Sequence, residues 1–262
     1  MIHPNHHWSL PFHSTSTALA QVFDFCLEAA ENQQLSALCL IDQKAAYDIL
    51  CHKILREKLQ LYNFTESAVE WVMSYLGGRC QYVKVESKIS EKMDCGDFGA
   101  PQGSVLAGLL HLIFCNDFPA CHEEGQAVVF VDDDTDSVCD SDPESLKSKI
   151  QTEARKSAQW LKDNRMVVAA DKSKLIVAGT PQLRSSKLTG ENKMSIIVDD
   201  ETIHESNSER LLGLVISNQL SWKDYLYGDE KNKGLVTKLN QRVGILKVLA
   251  KYMNPKTLKI LQ

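Results

Sequence analysis

No C-x-x-C pair occurs among the eight cysteines of this 262-residue chain, which stand at positions 26, 39, 51, 80, 95, 115, 121 and 139. Zinc-ribbon and thioredoxin-type motifs are therefore excluded, and Cys115, Cys121 and His122 find no fourth ligand at zinc spacing. Several cysteines fall in apolar periodic segments, the pattern of reduced, buried thiols in an intracellular compartment, cytoplasm or nucleus. Long apolar runs are also missing. The best one, residues 105–114, contains His111 and falls well short of the roughly 18 residues of a membrane helix, so no membrane partner is expected. The opening M-I-H-P-N-H-H-W has neither a basic flank nor an apolar core and does not read as a signal peptide. Residues 1–13 are polar and His-rich and are expected to be poorly ordered. Internal repeats and low-complexity tracts are absent.

What is present is an ordinary globular balance, 44% apolar and 24% charged, long enough for one large or two modest domains. The net charge of −5 is unevenly spread. Residues 231–262 carry eight Lys or Arg and no acid, which leaves 21 basic against 34 acidic residues in 1–230. Such asymmetry fits a basic element for a polyanion beside an acidic element for metal; a solvated helix face is the plain alternative.

The chain is organised around residues 127–138, A-V-V-F-V-D-D-D-T-D-S-V. An apolar β-type run delivers Asp132, Asp133 and Asp134 into a tight turn, and a second β-like piece, 135–139, follows at once. The pattern predicts a hairpin with acids at its tip. Adjacent carboxylates repel, so such a run persists where solvent screens it or a cation neutralises it; the stretch alone leaves both open. An EF-hand does not fit. Asp132, Asp134 and Asp136 match its first ligands, but Ser137 stands where glycine is needed and Pro143 where a bidentate Glu is needed.

The Ser/Thr cluster at 14–17 predicts the cap of a helix with Leu19, Val22, Phe23, Cys26, Leu27 and Ala30 inward. Residues 35–42, L-S-A-L-C-L-I-D, read as a strand buried on both faces with Asp42 at its exit. A helix over 45–61 with Ile54, Leu55, Lys58 and Leu59 inward follows. The next opens near Thr65 with Ser67-x-x-Glu70 as a capping box and ends at Gly77-Gly78. A strand pair is expected at 80–86 and 88–95, a loop at 96–103, an apolar helix at 104–114, and a long helix opened by Asp142-Pro143. Short strands are expected at 166–168, 175–178, 195–198 and 211–216, then a basic helix from Gly234 with Leu235, Leu239, Leu246 and Leu249 inward. Strands and helices mix without a βαβ rhythm, which gives an α+β fold.

Two apolar strands thus end in carboxylates, Asp42 on one and Asp132 and Asp133 on the other. If sheet pairing makes them neighbours, they form a hard-oxygen site suited to magnesium. Two such ions roughly 3.5–4 Å apart serve in-line phosphoryl displacement, the chemistry of nucleotidyl transfer. From spacing alone this is only suggestive.

A series of motifs in fixed order goes further: I-D-Q-K-A-A-Y-D (41–48), G-A-P-Q-G-S-V-L (99–106), F-V-D-D (130–133), D-K-S-K-L-I-V (171–177) and L-L-G-L-V-I (211–216). The set closely resembles the palm of a reverse transcriptase. H-S-T-S-T-A-L (13–19), N-D-F-P (116–119) and L-S-W (220–222) resemble the non-long-terminal-repeat, jockey-like retrotransposon branch. The resemblance covers nearly the whole chain. It implies a right-hand polymerase palm with partial fingers over 14–217, an antiparallel sheet backed by helices. Residues 218–262 would then form a linker and the start of a helical thumb. It also implies RNA-directed DNA polymerase activity, deoxynucleoside triphosphates as substrates, an RNA template and DNA primer as partners, and two Mg2+ ions, replaceable by Mn2+.

Carried onto this chain, the resemblance makes Asp42, Asp132 and Asp133 the catalytic, metal-binding carboxylates. Tyr47 matches the aromatic gate against a ribose 2′-hydroxyl, with a core aromatic as the plain alternative, and Asp48 reads as a helix cap. Pro101, Gln102 and Gly103 match the loop that supports nucleotide and template, and Lys172 a lysine near the triphosphate, against a plain turn and a surface lysine. Leu212 and Gly213 match the primer grip. Lys238 and Arg242 lie on the basic helix 234–259, whose cations would follow duplex phosphates. The chain departs from the family at Ser9-Leu-Pro-Phe12, where Gly-Phe-Arg is usual, at Ala107-Gly108, where Gly-Pro is common, and at the third acid, Asp134. The implied picture is a copy truncated at both ends, with fingers or endonuclease segments supplied by another chain. The alternative is an inactive palm that only binds nucleic acid.

Overall fold

The computed structural model describes residues 2–8, 10–188, 193–229 and 233–250. Ser14 and Thr17 cap α1 (Thr15–Glu31) reciprocally, each backbone N–H donating to the other's hydroxyl. Then come β1 (Leu35–Asp42), α2 (His52–Leu61) and α3 (Glu66–Leu76). An exposed hairpin follows, made of β2 (Cys80–Gln81), β3 (Lys84–Val85), β4 (Lys88–Ile89) and β5 (Met93–Asp94), with β2 paired to β5 and β3 to β4. After α4 (Val105–Phe114) and a short 3-10 turn, β6 (Gln126–Phe130) and β7 (Asp133–Asp140) form the acidic hairpin. The Asp142 side chain accepts from Ser145 N–H at 2.8 Å to start α5 (Pro143–Asp163). The rest is β8 (Lys174–Ala178), α6 (Pro181–Lys187), β9 (Ser195–Val198), β10 (Glu201–His204), β11 (Ser208–Leu211), β12 (Leu214–Ser217), α7 (Lys223–Tyr227) and α8 (Leu235–Leu249).

One antiparallel sheet, in the order β6-β7-β1-β8, carries the architecture. Side chains alternate along β1. Leu35, Ala37, Cys39 and Ile41 enter the larger core with Leu55, Leu110, Ile150 and Leu161 from the helices. Leu38 and Leu40 face the other way, toward Ala18, Val22 and Cys26 of α1. Both faces are covered, which is why the strand reads as an unbroken apolar run. Among the described residues no helix is long and apolar enough to cross a membrane.

Several local expectations are corrected. The N-terminal segment, expected to be poorly ordered, is instead hydrogen-bonded to the free edge of β6. Val129 N–H donates to Asn5 O and His7 N–H to Val129 O, each at 2.9 Å. The buried His6 ring bonds Cys115 O at 3.1 Å, and the His7 ring reaches Thr17 and Gln21. Burial pulls His6 down to about 4, so it enters the core neutral. The helix expected from residue 45 begins only at His52, because Ala45 turns the chain at φ 50 and Lys44 N–H is spent on Val167 O at 2.8 Å. Cys51, not Asp48, is the residue preceding that helix. Thr65, not Ser67, caps α3 by accepting from Ala68 N–H.

The strand expected over 211–216 is a hairpin. Leu212 (φ 48) and Gly213 (φ 88) form its two-residue turn, both with the positive φ of a type I′ turn. The leucines expected inward on α8 are not buried, nor is any residue of that helix. Lys251, Lys256 and Lys259 lie outside the described residues.

Candidate active site

Register decides where each acid goes. Asp42 lies opposite Asp133, and Ile41 opposite Asp134, across the β1–β7 pair. Opposed residues share a face and successive residues alternate, so Asp133 joins Asp42 while Asp134 faces the larger core. Asp132 sits with Val131 in the two-residue turn between β6 and β7. Val131 has φ 63. A β-branched residue there is strained, at a cost on the order of 1–3 kcal/mol, and the strain falls in the turn that presents Asp132.

The site-side acids sense one another. Surrounding protein pushes Asp133 above the ordinary carboxylate value, and the Asp132 and Asp42 charges add to the rise. Among the described residues no three His, Cys, Asp or Glu side chains are gathered around one point. The acids are therefore neighbours in register, not a closed cage. Their oxygen-only donor set, with Asp132 and Asp133 exposed, fits a hard divalent cation that brings waters and substrate oxygens of its own.

The core-side acids are neutralised by protein. Asp134 is 2% exposed, and burial drives its carboxyl well above the usual range. Gln43 Nε2 donates to Asp134 Oδ2 at 2.5 Å, while Asp134 Oδ1 and Gln43 Oε1 are buried without partners. A neutral acid carries the one O–H donor this pair lacks. Asp136 is 0% exposed; its Oδ1 lies 2.8 Å from His122 Nε2, and its Oδ2 accepts from Ser157 Oγ at 2.7 Å. Burial alone lowers His122, but the Asp136 charge and hydrogen bond outweigh it and carry the imidazole up to about 11.

Two clefts flank the acids. The first, of about 630 Å³, is lined by Asp132, Tyr47, Gln102, Gly103, Trp8 and Gly108 among others. The partly buried Tyr47 ring packs 5.0 Å from that of buried His111 on α4. Ala100 N–H donates to Tyr47 O at 2.8 Å, which ties Tyr47 to the following loop. Gly103 takes φ 82, where a side chain is strained. Pro101 O accepts from Ser104 N–H at 3.1 Å, but Pro101 does not line the cleft. Gln102 Nε2 reaches Asp48 Oδ1 at 3.4 Å.

The second cleft holds Asp42, Asp133, Lys172, Lys174, Arg210 and Leu211. Lys172 thus stands beside the acids. Lys174 and Arg210 are missed by sequence reasoning. Lys174 pairs with Leu40, two residues from Asp42 and so on its face; parity counting finds it once the sheet order is known. Arg210 gives no such signal, because its hairpin reads as one strand. Leu212 and Gly213 form the turn after β11, with Leu212 packed against the α1-side core. Lys238 and Arg242 are exposed, one turn apart on α8, and line neither cleft.

Comparison with known proteins agrees with this architecture. The RNA-directed DNA polymerase from mobile element jockey of Drosophila melanogaster is 33% identical over 107 residues, 41% of this chain and 12% of that protein. The probable RNA-directed DNA polymerase from transposon X-element of the same fly is 22% identical over 221 residues, covering 82% of this chain and 23% of its own length. The chain therefore spans less than a quarter of either relative. Apo telomerase from Candida tropicalis, truncated from its C-terminal domain, superimposes with a TM-score of 0.54 at 17% identity. The overlay covers 79% of this chain and 39% of that one, a likeness of the polymerase palm fold. The family model for reverse transcriptase (RNA-dependent DNA polymerase) matches residues 2–216, and this chain belongs to that family.

Proposed function

We propose that the chain is an RNA-directed DNA polymerase palm that adds deoxynucleotides to a DNA primer on an RNA template. The observation that carries this reading is the pairing of Asp42 with Asp133, with Asp132 in the adjoining turn, between a cleft bearing Tyr47 and one bearing Lys172. Asp42, Asp132 and Asp133 are the residues to hold two divalent ions, Mg2+ or Mn2+. When bound, such ions stabilise the charge on the attacking and leaving oxygens of an in-line displacement.

The primer 3′-hydroxyl attacks the α-phosphate of the incoming nucleotide, and pyrophosphate leaves. Tyr47 limits the room beside the sugar and so selects against a 2′-hydroxyl; its packing on His111 holds the ring in place. Pro101, Gln102 and Gly103 shape the floor under nucleotide and template. Lys172 supplies positive charge, and a proton, toward the departing pyrophosphate. Leu212 and Gly213 set the primer end, while Lys238 and Arg242 meet duplex phosphates.

Primer extension with Mg2+, deoxynucleotides, an RNA template and a DNA primer tests the reading. Extension that disappears in Asp132→Ala is the expected result. Duplex binding by the folded chain without extension contradicts it and leaves the inactive nucleic-acid-binding palm.

A further inference from the structure

The N-terminal segment delivers one residue into the first cleft. His6 is bridged to Val129 in a parallel pairing, and two residues further on Trp8 lines the same cleft as Asp132. The backbone bonds of Asn5 and His7 to Val129 and the buried His6 ring fix the approach. The indole then rests on α4 at Gly108. A Cβ built on Gly108 would overlap Cη2 of the ring, with Cζ2 and Cζ3 each at 2.8 Å. The helix is bare of side chain where the ring lies. Gly108 is buried and Trp8 only partly so, which leaves the remainder of the indole as lining for the cleft shared with Tyr47, Gln102 and Asp132. The helix that seats Trp8 also seats Tyr47, through His111 one turn later. The cleft thus has two aromatic side chains and an acid, a combination suited to a planar base and a polyanionic, cation-bound tail.

We infer that Trp8 is a nucleotide-binding contact of the first cleft, its indole stacking on the base of the incoming nucleotide while Tyr47 bounds the sugar. The inference rests on the polymerase reading. Stacking accepts every base, because each has a π-face, so Trp8 tightens nucleotide binding without choosing the base; the template chooses.

The test is primer extension with the nucleotide concentration varied, together with tryptophan fluorescence of the chain titrated with deoxynucleoside triphosphate and Mg2+. Trp8→Ala is expected to raise the nucleotide KM roughly 5- to 100-fold with kcat little changed. Trp8→Phe should restore most of the affinity. Nucleotide should quench the wild-type fluorescence, and the quench should vanish in Trp8→Phe although Trp71, Trp160 and Trp222 remain. An unchanged KM in folded Trp8→Ala overturns the inference, and a lowered KM overturns it in favour of a ring that obstructs the cleft. If Trp8→Ala fails to fold, a quench that survives in Trp8→Phe overturns it. A wild-type chain that does not extend primers refutes the polymerase reading alone. The nucleotide quench still decides Trp8: its loss in Trp8→Phe upholds the contact, and no wild-type quench rejects it.

Discussion

Asp133 and Asp134 are neighbours in sequence and opposites in environment. Asp133 shares a face with Asp42 and is raised by burial first and by the Asp132 and Asp42 charges after it; among the described contacts none of the three makes an ion pair. Asp134 and its successor on the same face, Asp136, are buried and answered by Gln43, His122 and Ser157. Identical chemistry on two sides of one strand therefore does different work. The core-side acids are compensated by protein and serve the fold. In the proposed reading the site-side acids are left for charge that arrives with the substrate, and holding them together costs stability.

The largest expected effect is on catalysis. Asp133→Asn should cut primer extension on the order of a thousandfold or more, while the melting temperature stays level or rises. Next comes a loss of fold. Asp136→Ala leaves the His122 imidazolium buried without its carboxylate and should destabilise by about 3–5 kcal/mol in urea unfolding, an inversion of the Asp133 result.

The alkaline limb of stability follows. His122 is raised in the fold from an ordinary 6.5 to about 11, so its contribution is complete below pH 6.5 and is lost as pH rises toward 11. Asp134 is also raised, and its contribution likewise falls with rising pH. Melting midpoints should decline over that range, and Asp136→Asn should flatten the decline. The smallest effect belongs to Asp134→Asn, which keeps a neutral donor and acceptor beside Gln43. It should shift stability by less than about 1 kcal/mol in urea unfolding.

These contrasts also explain how much was legible in the sequence. The acidic hairpin, the two-faced strand and its exit at Asp42 are written locally, in runs and alternation that need no distant partner. The split between Asp133 and Asp134 follows from parity, but only once β1 is known to pair with β7. The N-terminus was illegible because its polar histidines find acceptors more than a hundred residues away, such as Cys115 O. The late start of α2 hides in Ala45, whose positive φ its residue type does not announce. Trp8 stays invisible until Gly108 is placed beside it.

The division of acids between the two faces is tested most directly by melting the chain over a Mg2+ titration, beside Asp133→Asn. The wild type should gain a few degrees with the cation, as about 1–2 kcal/mol of relieved repulsion implies for a chain this size. Asp133→Asn should start higher and respond less. Midpoints that ignore both the cation and the substitution would contradict the assignment of Asp42, Asp132 and Asp133 as the acids that await metal.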